Sequence, residues 1–578
     1  MESLDFFSRA HEVPIENLLE ELRLAQSTTD EAKAPVATSD PIADTIYQPF
    51  FKAGIAVVLT LGAAWGAYLL LRIGFLKSFT AVSLNEVNAH GHAQIFGWVG
   101  LFVMGFAYQA FPRFKHTSLA HPRLALSTLW MMLLGIVIRS GAQAFVDAQP
   151  RLLVAGVVGS ILEIVAIGIF VWIICTTMRV SGKPLAFYDY YIFSALSWFL
   201  IQAVYGTVYF TLITTAPNRD VFLSLVSTWQ APLRDLQIHG FAMLMILGVS
   251  QRLFHNFYGF PAPRPGRGLA VLVLLNLSIA GEAIGFVLMR TLGHAWAALW
   301  YGAVLVMVAS LVLLVWGWRL HTKPEETDRS LKFLRTAYCW LFISMAMSVF
   351  LPVYQFGLLH TFAPSSHAAE IGFSHAYYGA IRHAITVGFI SMMIVGVAAK
   401  VVPTLKGLDI RGLPGLWIPF ILLNLGCAIR VSFQVLTDFQ DIAFPLAGIS
   451  GVLEVTALGI WGVHLWRIMN GWTKESTSQA MNVQFTPITN GEAIVPGNRV
   501  SDVLDTYPHL LPVFIRFGFT PLANPVLRKT LAKRVSISGA ARRLDVELET
   551  LLAGLNAARE REIDKASSTL AANEIQSA

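Results

Sequence analysis

Five histidines carry most of the chemical potential of this 578-residue chain: His90, His92, His239, His375 and His383. The first two open an apolar stretch, Asn88-Ala89-His90-Gly91-His92-Ala93-Gln94-Ile95-Phe96-Gly97-Trp98, that runs on to Phe111 and Pro112. An ionisable group inside a bilayer is costly and marks a ligand site or an ion path. Neutral imidazole is also the commonest metal ligand among side chains. One histidine at a helix start is more often interfacial or hydrogen-bonded than ligating, but three at matching depth on separate helices shift the balance to ligation. With no Asp/Glu cluster and no cysteine among them, zinc fits poorly. Two imidazoles from separate helices suit the axial positions of a haem, which helix bundles hold between facing helices.

The elements that position these residues are membrane helices. The chain is 55% hydrophobic and 13% charged, with mean hydropathy +0.58, against about a quarter charged in a soluble protein. Apolar runs long enough to span a bilayer recur from Pro49 to Trp466. The expected fold is all-α: a polytopic membrane protein of about twelve spans, at 49–75, 89–112, 122–146, 151–178, 188–214, 232–258, 267–289, 293–320, 331–356, 376–402, 414–436 and 441–468. Lys and Arg fill alternate turns (Arg113, Lys115 and Arg123; Arg179 and Lys183; Arg264 and Arg267; Lys323, Arg329 and Lys332; Lys406 and Arg411), whereas 357–372 has neither. The positive-inside rule then predicts a multi-pass protein of the cell inner (cytoplasmic) membrane with both termini cytoplasmic. Even-numbered spans run inward. The polar, acidic start, Met1–Asp40, is not expected to be a cleavable signal peptide. The net charge of +6 follows from topology and predicts no nucleic-acid partner. Cys175, Cys339 and Cys427 form no CxxC or CxxCH, so c-type haem attachment and iron–sulfur clusters have no basis.

The spans repeat in sets of four, which predicts a pseudo-threefold arrangement. Spans two, six and ten share glycines eight residues apart: Gly97/Gly105, Gly240/Gly248 and Gly388/Gly396. Spans three and eleven share Gly135, Arg139, Gln143 and Gly426, Arg430, Gln434; spans four and twelve share Leu162-Glu163 and Leu453-Glu454. His92 and His383 each lie five residues before the shared glycine and twenty before a proline, Pro112 or Pro403. His239 immediately precedes Gly240, one turn deeper. All three gather near the outer leaflet. His90 is about 200° around the helix from His92, so both can face one iron only if the helix starts after His90. His375 lies eight residues before His383, two turns further out. Arg139 and Arg430 fall in the outer half, where haem propionates would suit them; a protein acid or helix carbonyl is the equal alternative. Glu163, Glu282 and Glu454 are expected deeper, as structural acids or proton-relay groups. Trp98, Tyr205, Tyr209, Tyr377 and Tyr378 are expected in packing and interface belts.

The run His90-Gly91-His92-Ala93-Gln94-Ile95-Phe96-Gly97 resembles the His-x-His-Glu-Met-x-Phe-Gly motif of NnrS-type membrane proteins, and Arg382-His383-Ala384-Ile385-Thr386-Val387-Gly388 resembles their second motif. The resemblance covers about 45–470. It implies haem, copper and a link to nitric oxide resistance. The chain departs at Gln94, where the family has Glu, and at Pro403-Thr404-Leu405-Lys406-Gly407, where it has Gly-His-Thr-Gly. A more distant likeness joins Ala89-His90-Gly91 with Ile95-Phe96 to the second helix of haem–copper oxidase subunit I. That likeness implies a copper ligand at His239 and a low-spin haem ligand at His383. Ile381 takes the high-spin haem position, and the His-His pair of span seven is missing from Asn276 to Met289. The segment from Val500 to Asn556, with Ser501 as an expected helix cap, resembles a DUF1858 domain and echoes His11 to Leu19.

The expected organisation is a cytoplasmic N-terminal helical segment (1–45), a transmembrane haem-binding domain (46–470), a linker (471–498), a DUF1858-like module (499–560) and a tail (561–578). The expected function is a b-type haem protein that binds or detoxifies nitric oxide or a similar diatomic. His92 and His383 would be axial ligands, with His90 as substitute, and Arg139 and Arg430 would serve the haem. His239, with His375, would face copper or a second haem. The alternatives are a nitric oxide or oxygen reductase fed by quinol or cytochrome, and a transporter. Membrane lipid is the expected surround.

Overall fold

The computed structural model describes residues 15–16, 19–20, 40–323, 328–408, 410–471, 485–519, 522, 536–543 and 546–577. Most of the expected N-terminal helical segment 1–45 therefore lies outside the described residues. The chain divides into two compact units, Met1–Asn470 and Gly471–Ala578. Among the described residues there are helices and two isolated β-bridges, and no strand.

The first unit has long helices α1 (Pro41–Leu76), α2 (Leu84–Phe114), α3 (Pro122–Phe145), α4 (Leu152–Val180) and α5 (Phe187–Thr214). After α6 come α7 (Pro265–Thr291), α8 (His294–Trp316), α9 (Leu331–Phe362), α10 (His375–Leu405), α11 (Trp417–Leu436) and α12 (Ala443–Met469). These eleven are long and apolar enough to cross a membrane. The remaining one, α6, runs without a break through Arg219–Asp235, Leu236–Met243 and Leu244–Tyr258. Its Gln237, His239, Gln251 and Arg252 dilute its apolar character. The protein is an all-α polytopic membrane protein.

The repeat is written in contacts as well as in sequence. Inside α2, α6 and α10 the helix widens into an eight-residue π segment: Ala93–Gly100, Leu236–Met243 and Ala384–Ser391. Gly97, Gly240 and Gly388 each stand fifth in that segment. The preceding helix, α1, α5 or α9, packs against each of these glycines with an equivalent residue, Val57, Trp198 or Trp340. A Cβ at Gly240 would lie 2.9 Å from Trp198 Cγ, so only glycine admits the indole here. Eight residues on, Gly105, Gly248 and Gly396 receive Phe50, Tyr191 and Phe333, each seven residues before the first set. An apolar cavity of about 70 Å³ repeats the pattern, lined by Phe102, Val103, Phe106, their counterparts Met245, Ile246, Val249 and Met393, Ile394, Val397. It lies beyond the π segments from the histidines.

The second unit contains α13 (Val500–Thr506), α14 (Leu511–Arg516), α15 (Ile537–Arg543) and α16 (Leu548–Ser577). Val503, Leu510, Phe514, Ile537, Leu551 and Leu555 form its core. Asn556 fastens the chain at Ile494, accepting from its N–H at 2.8 Å and donating to its carbonyl at 2.9 Å. Ser501 is not the cap: Arg499 precedes α13, and Ser501 is buried inside its first turn, its hydroxyl on Asp502. The expected tail is helical and continuous with the module through α16.

Candidate functional site

The entrance to α2 is built by a capping box. The backbone N–H of Glu86 donates to Ser83 Oγ at 3.1 Å, and Glu86 accepts in return from the Ser83 N–H at 2.8 Å. Glu86 also pairs with Arg72 of α1 at 2.8 Å. The helix therefore begins before His90, and the two imidazoles leave it toward different neighbours. His90 Nδ1 lies 3.0 Å from the carbonyl oxygen of Gly62, at the end of a π segment in α1, and its ring lies against Gly66. His92 Nε2 lies 2.8 Å from Glu163 Oε1 of α4, and its ring stacks on Phe96.

His383 Nδ1 is 3.4 Å from the Gly379 carbonyl oxygen one turn earlier. His383 is within electrostatic range of both His90 and Arg430, so the structure gathers these three residues from α10, α2 and α11. Arg430 is buried, and its Nε and Nη1 have no hydrogen-bond partner; Gln434 Oε1 and Glu454 Oε1 are buried and unpartnered too. Arg139 occupies the matching place on α3. It donates to Gln143 at 2.6 Å and lies over the Phe210 ring at 3.6 Å, with Glu163 as its neighbouring acid. Between the sets runs a polar chain. Arg234 donates to Asn88 at 2.8 Å and to Gln237 at 2.7 Å, and Gln237 donates to Gln202 at 3.0 Å.

His239 keeps different company. Its Nδ1 lies 2.9 Å from Glu282 Oε2 of α7. Asp235, His239 and Glu282 bring one ligand atom each to within 4.8 Å of one another, all three buried. Tyr378 and Arg382 of α10 close over them: the Tyr378 hydroxyl donates to Asp235 Oδ1 at 3.5 Å, and Arg382 Nη2 is 3.8 Å from the same atom.

Several expectations change. Glu163 and Glu282 are not deeper than the histidines; each is hydrogen-bonded to one. The histidines are not free of acids, because folding brings Asp235 and Glu282 to His239. Asp235 was the missed residue, although it stands five residues before Gly240, as His92 and His383 stand before their glycines. Tyr378 belongs to the site rather than to an interface belt. His375 is the first residue of α10, exposed, its ring 4.9 Å from Phe373.

The NnrS protein family matches residues 41–471. The chain belongs to the NnrS family. The match takes in all twelve long helices of the first unit, and the DUF1858 domain, of unknown function, matches residues 496–552 of the second. No curated protein matches the chain. Within this NnrS-family chain the histidines, acids and arginines of the site sit on α2–α4, α6, α7 and α10–α12.

Proposed function

We propose that this NnrS-family protein is a haem protein of the cytoplasmic membrane that binds or removes nitric oxide and so protects against nitrosative stress. The observation that carries the reading is the His90–His383–Arg430 group. Both imidazoles turn Nδ1 to a backbone carbonyl, at 3.0 and 3.4 Å, which leaves each Nε2 to face a ligand. Ligating histidines are oriented in this way. Arg430 beside them has buried N–H groups with no partner, the donors that anionic carboxylates on a macrocycle would satisfy. His92 has its Nε2 turned to Glu163, so His90 is the better partner for His383, and His92 becomes a neighbour of the site. Without CxxCH the haem is held non-covalently, as b-type haem is.

Haem iron would supply a binding place for a diatomic ligand, tuned by the residues that hold it and by the polarity around it. The protein's residues do the rest. His90 and His383 would hold the group, and Arg430 would offset carboxylate charge. Arg234, Asn88, Gln237 and Gln202 fix the polar wall. His92 Nε2 and Glu163 Oε1 share a proton near the site. The apolar cavity among α2, α6 and α10 suits a small apolar gas, since such cavities stay dry. The Lys- and Arg-rich turns support an orientation with both termini in the cytoplasm and these histidines near the outer leaflet, where a quinol or cytochrome would donate electrons.

Purified protein should show a haem spectrum that shifts on adding nitric oxide to the reduced form. His383→Ala and His90→Ala should lose most of the haem, whereas His92→Ala should keep it. A colourless wild type, or full haem in both His383→Ala and His90→Ala, would overturn the reading. Nitric oxide consumption with a quinol analogue would separate turnover from binding.

A further inference from the structure

We propose that Asp235, His239 and Glu282 form a separate site for one non-haem divalent metal ion of the manganese, iron(II) or zinc class. Three observations carry it. The ligand atoms, from α6 and α7, lie within 4.8 Å of one another. All three residues are buried, at 5%, 8% and 6% exposure. Asp235 Oδ2 has no hydrogen-bond partner, and an unpaired buried carboxylate oxygen is too costly to keep without a use.

The spacing is suited to the purpose. Asp235 and His239 are four residues apart, so one helix presents both on one face. The π segment begins between them, and such widened turns recur at functional sites. Glu282 comes from the adjacent helix and already shares a proton with His239 at 2.9 Å. The ion takes the imidazole lone pair and the carboxylate oxygens, and the shared proton leaves to water. Two carboxylates and one imidazole are a mixed oxygen and nitrogen set. Imidazole argues against magnesium and calcium, and the absence of thiolate or thioether from this triad argues against copper(I). Arg382, 3.8 Å from Asp235 Oδ1, stands in the cluster as a competing positive charge. The site is independent of the haem reading, since its residues are not shared with His90, His383 or Arg430.

The test uses full-length protein in detergent, stripped with EDTA and titrated with Mn²⁺ while electron paramagnetic resonance follows the free ion. Wild type should take up a single equivalent saturably, and Zn²⁺ should displace it. Asp235→Asn and Glu282→Gln should each weaken uptake about 100-fold, because even supporting residues of metal sites are worth 10- to 100-fold. Glu454→Gln, also a buried acid, should leave uptake unchanged. Should the ligand variants fail to fold, Arg382→Gln decides: removing the cation should tighten binding about 10-fold. The same titration in His383→Ala should give wild-type uptake whether or not that variant has lost haem. No saturable uptake by wild type overturns the site, as does unchanged affinity in both ligand variants or weaker binding in Arg382→Gln.

Discussion

The first and third repeats differ from the second in charge but not in frame. Five residues before the shared glycine stand His92 and His383, but Asp235 in the second repeat. Asn276 and Asn424 accept from Trp198 and Trp340, which aligns α7 with α11 and puts Glu282 where Arg430 stands. Arg139 holds that place in α3. The acids on α4 and α12, Glu163 and Glu454, have no counterpart on α8, whose residues 297–316 include no Asp, Glu, His, Lys or Arg. The second repeat supplies its counter-charge differently: Arg382 comes from α10. Arg234 crosses to the first repeat, where a Cβ at Gly91 would lie 3.2 Å from its Nη2. Glycine there makes room for the neighbour's guanidinium. Packing thus fixes the scaffold, and charge can invert on it provided each buried charge keeps an opposite one.

The largest expected contrast comes from one substitution made twice. Glu163→Gln takes away the acid hydrogen-bonded to His92 and nearest in charge to the buried Arg139, and leaving a buried cation uncompensated costs about 3–5 kcal/mol. Glu282→Gln removes one of two neighbouring carboxylates and leaves Asp235 with Arg382, so metal-free protein should change by less than about 1 kcal/mol. Denaturant or thermal unfolding in the same detergent compares them. Equal losses would break the distinction between the two repeats.

Much of this frame was legible in the sequence. The glycine pairs and the Gly-x3-Arg-x3-Gln pattern are the residues whose contacts repeat, because close helix approach needs glycine at fixed places. The π segments were not legible, since widening depends on the partners packed around a helix rather than on its own composition. The acids were misplaced for a related reason. Depth along a span follows from counting residues, but whether Glu163 meets His92 depends on how α2 and α4 lean together. Asp235 was hidden because the second repeat carries a carboxylate where the first and third carry His92 and His383. The directions in which His90 and His92 project followed from their 200° separation only once α2 was seen to start at Leu84.

A second contrast sharpens the match of α3 with α7 and α11. A Cβ at Gly135 would lie 2.6 Å from Glu163 Cγ, and one at Gly426 would lie 2.7 Å from Glu454 Cγ. The equivalent residue of α7 is Ser278, which already carries a side chain, its hydroxyl donating to the Leu274 carbonyl at 2.8 Å. Gly135→Val and Gly426→Val should each cost about 1–3 kcal/mol by overpacking. Ser278→Val, where α8 brings no acid across, should cost the least of the three in the same unfolding measurement.

The smallest contrast concerns the indoles. Trp340 donates to Asn424 Oδ1 at 3.0 Å and Trp198 to Asn276 Oδ1 at 2.9 Å. Asn276 Oδ1 also accepts from Ser194 at 2.7 Å, so it stays satisfied when the indole N–H is removed. Trp→Phe deletes the same N–H and nearly the same ring area in both repeats. Packing losses therefore cancel in the difference, and what is left is the cost of an acceptor without its donor. Trp340→Phe should be the more destabilising by about 1 kcal/mol, read from the two variants' unfolding curves. The first repeat has Val57 at this place and makes no such bond, which marks the bond as an addition to the scaffold. Equal losses in Trp198→Phe and Trp340→Phe would mean that the ring against Gly240 and Gly388, and not the bond to asparagine, holds these helices at their distance.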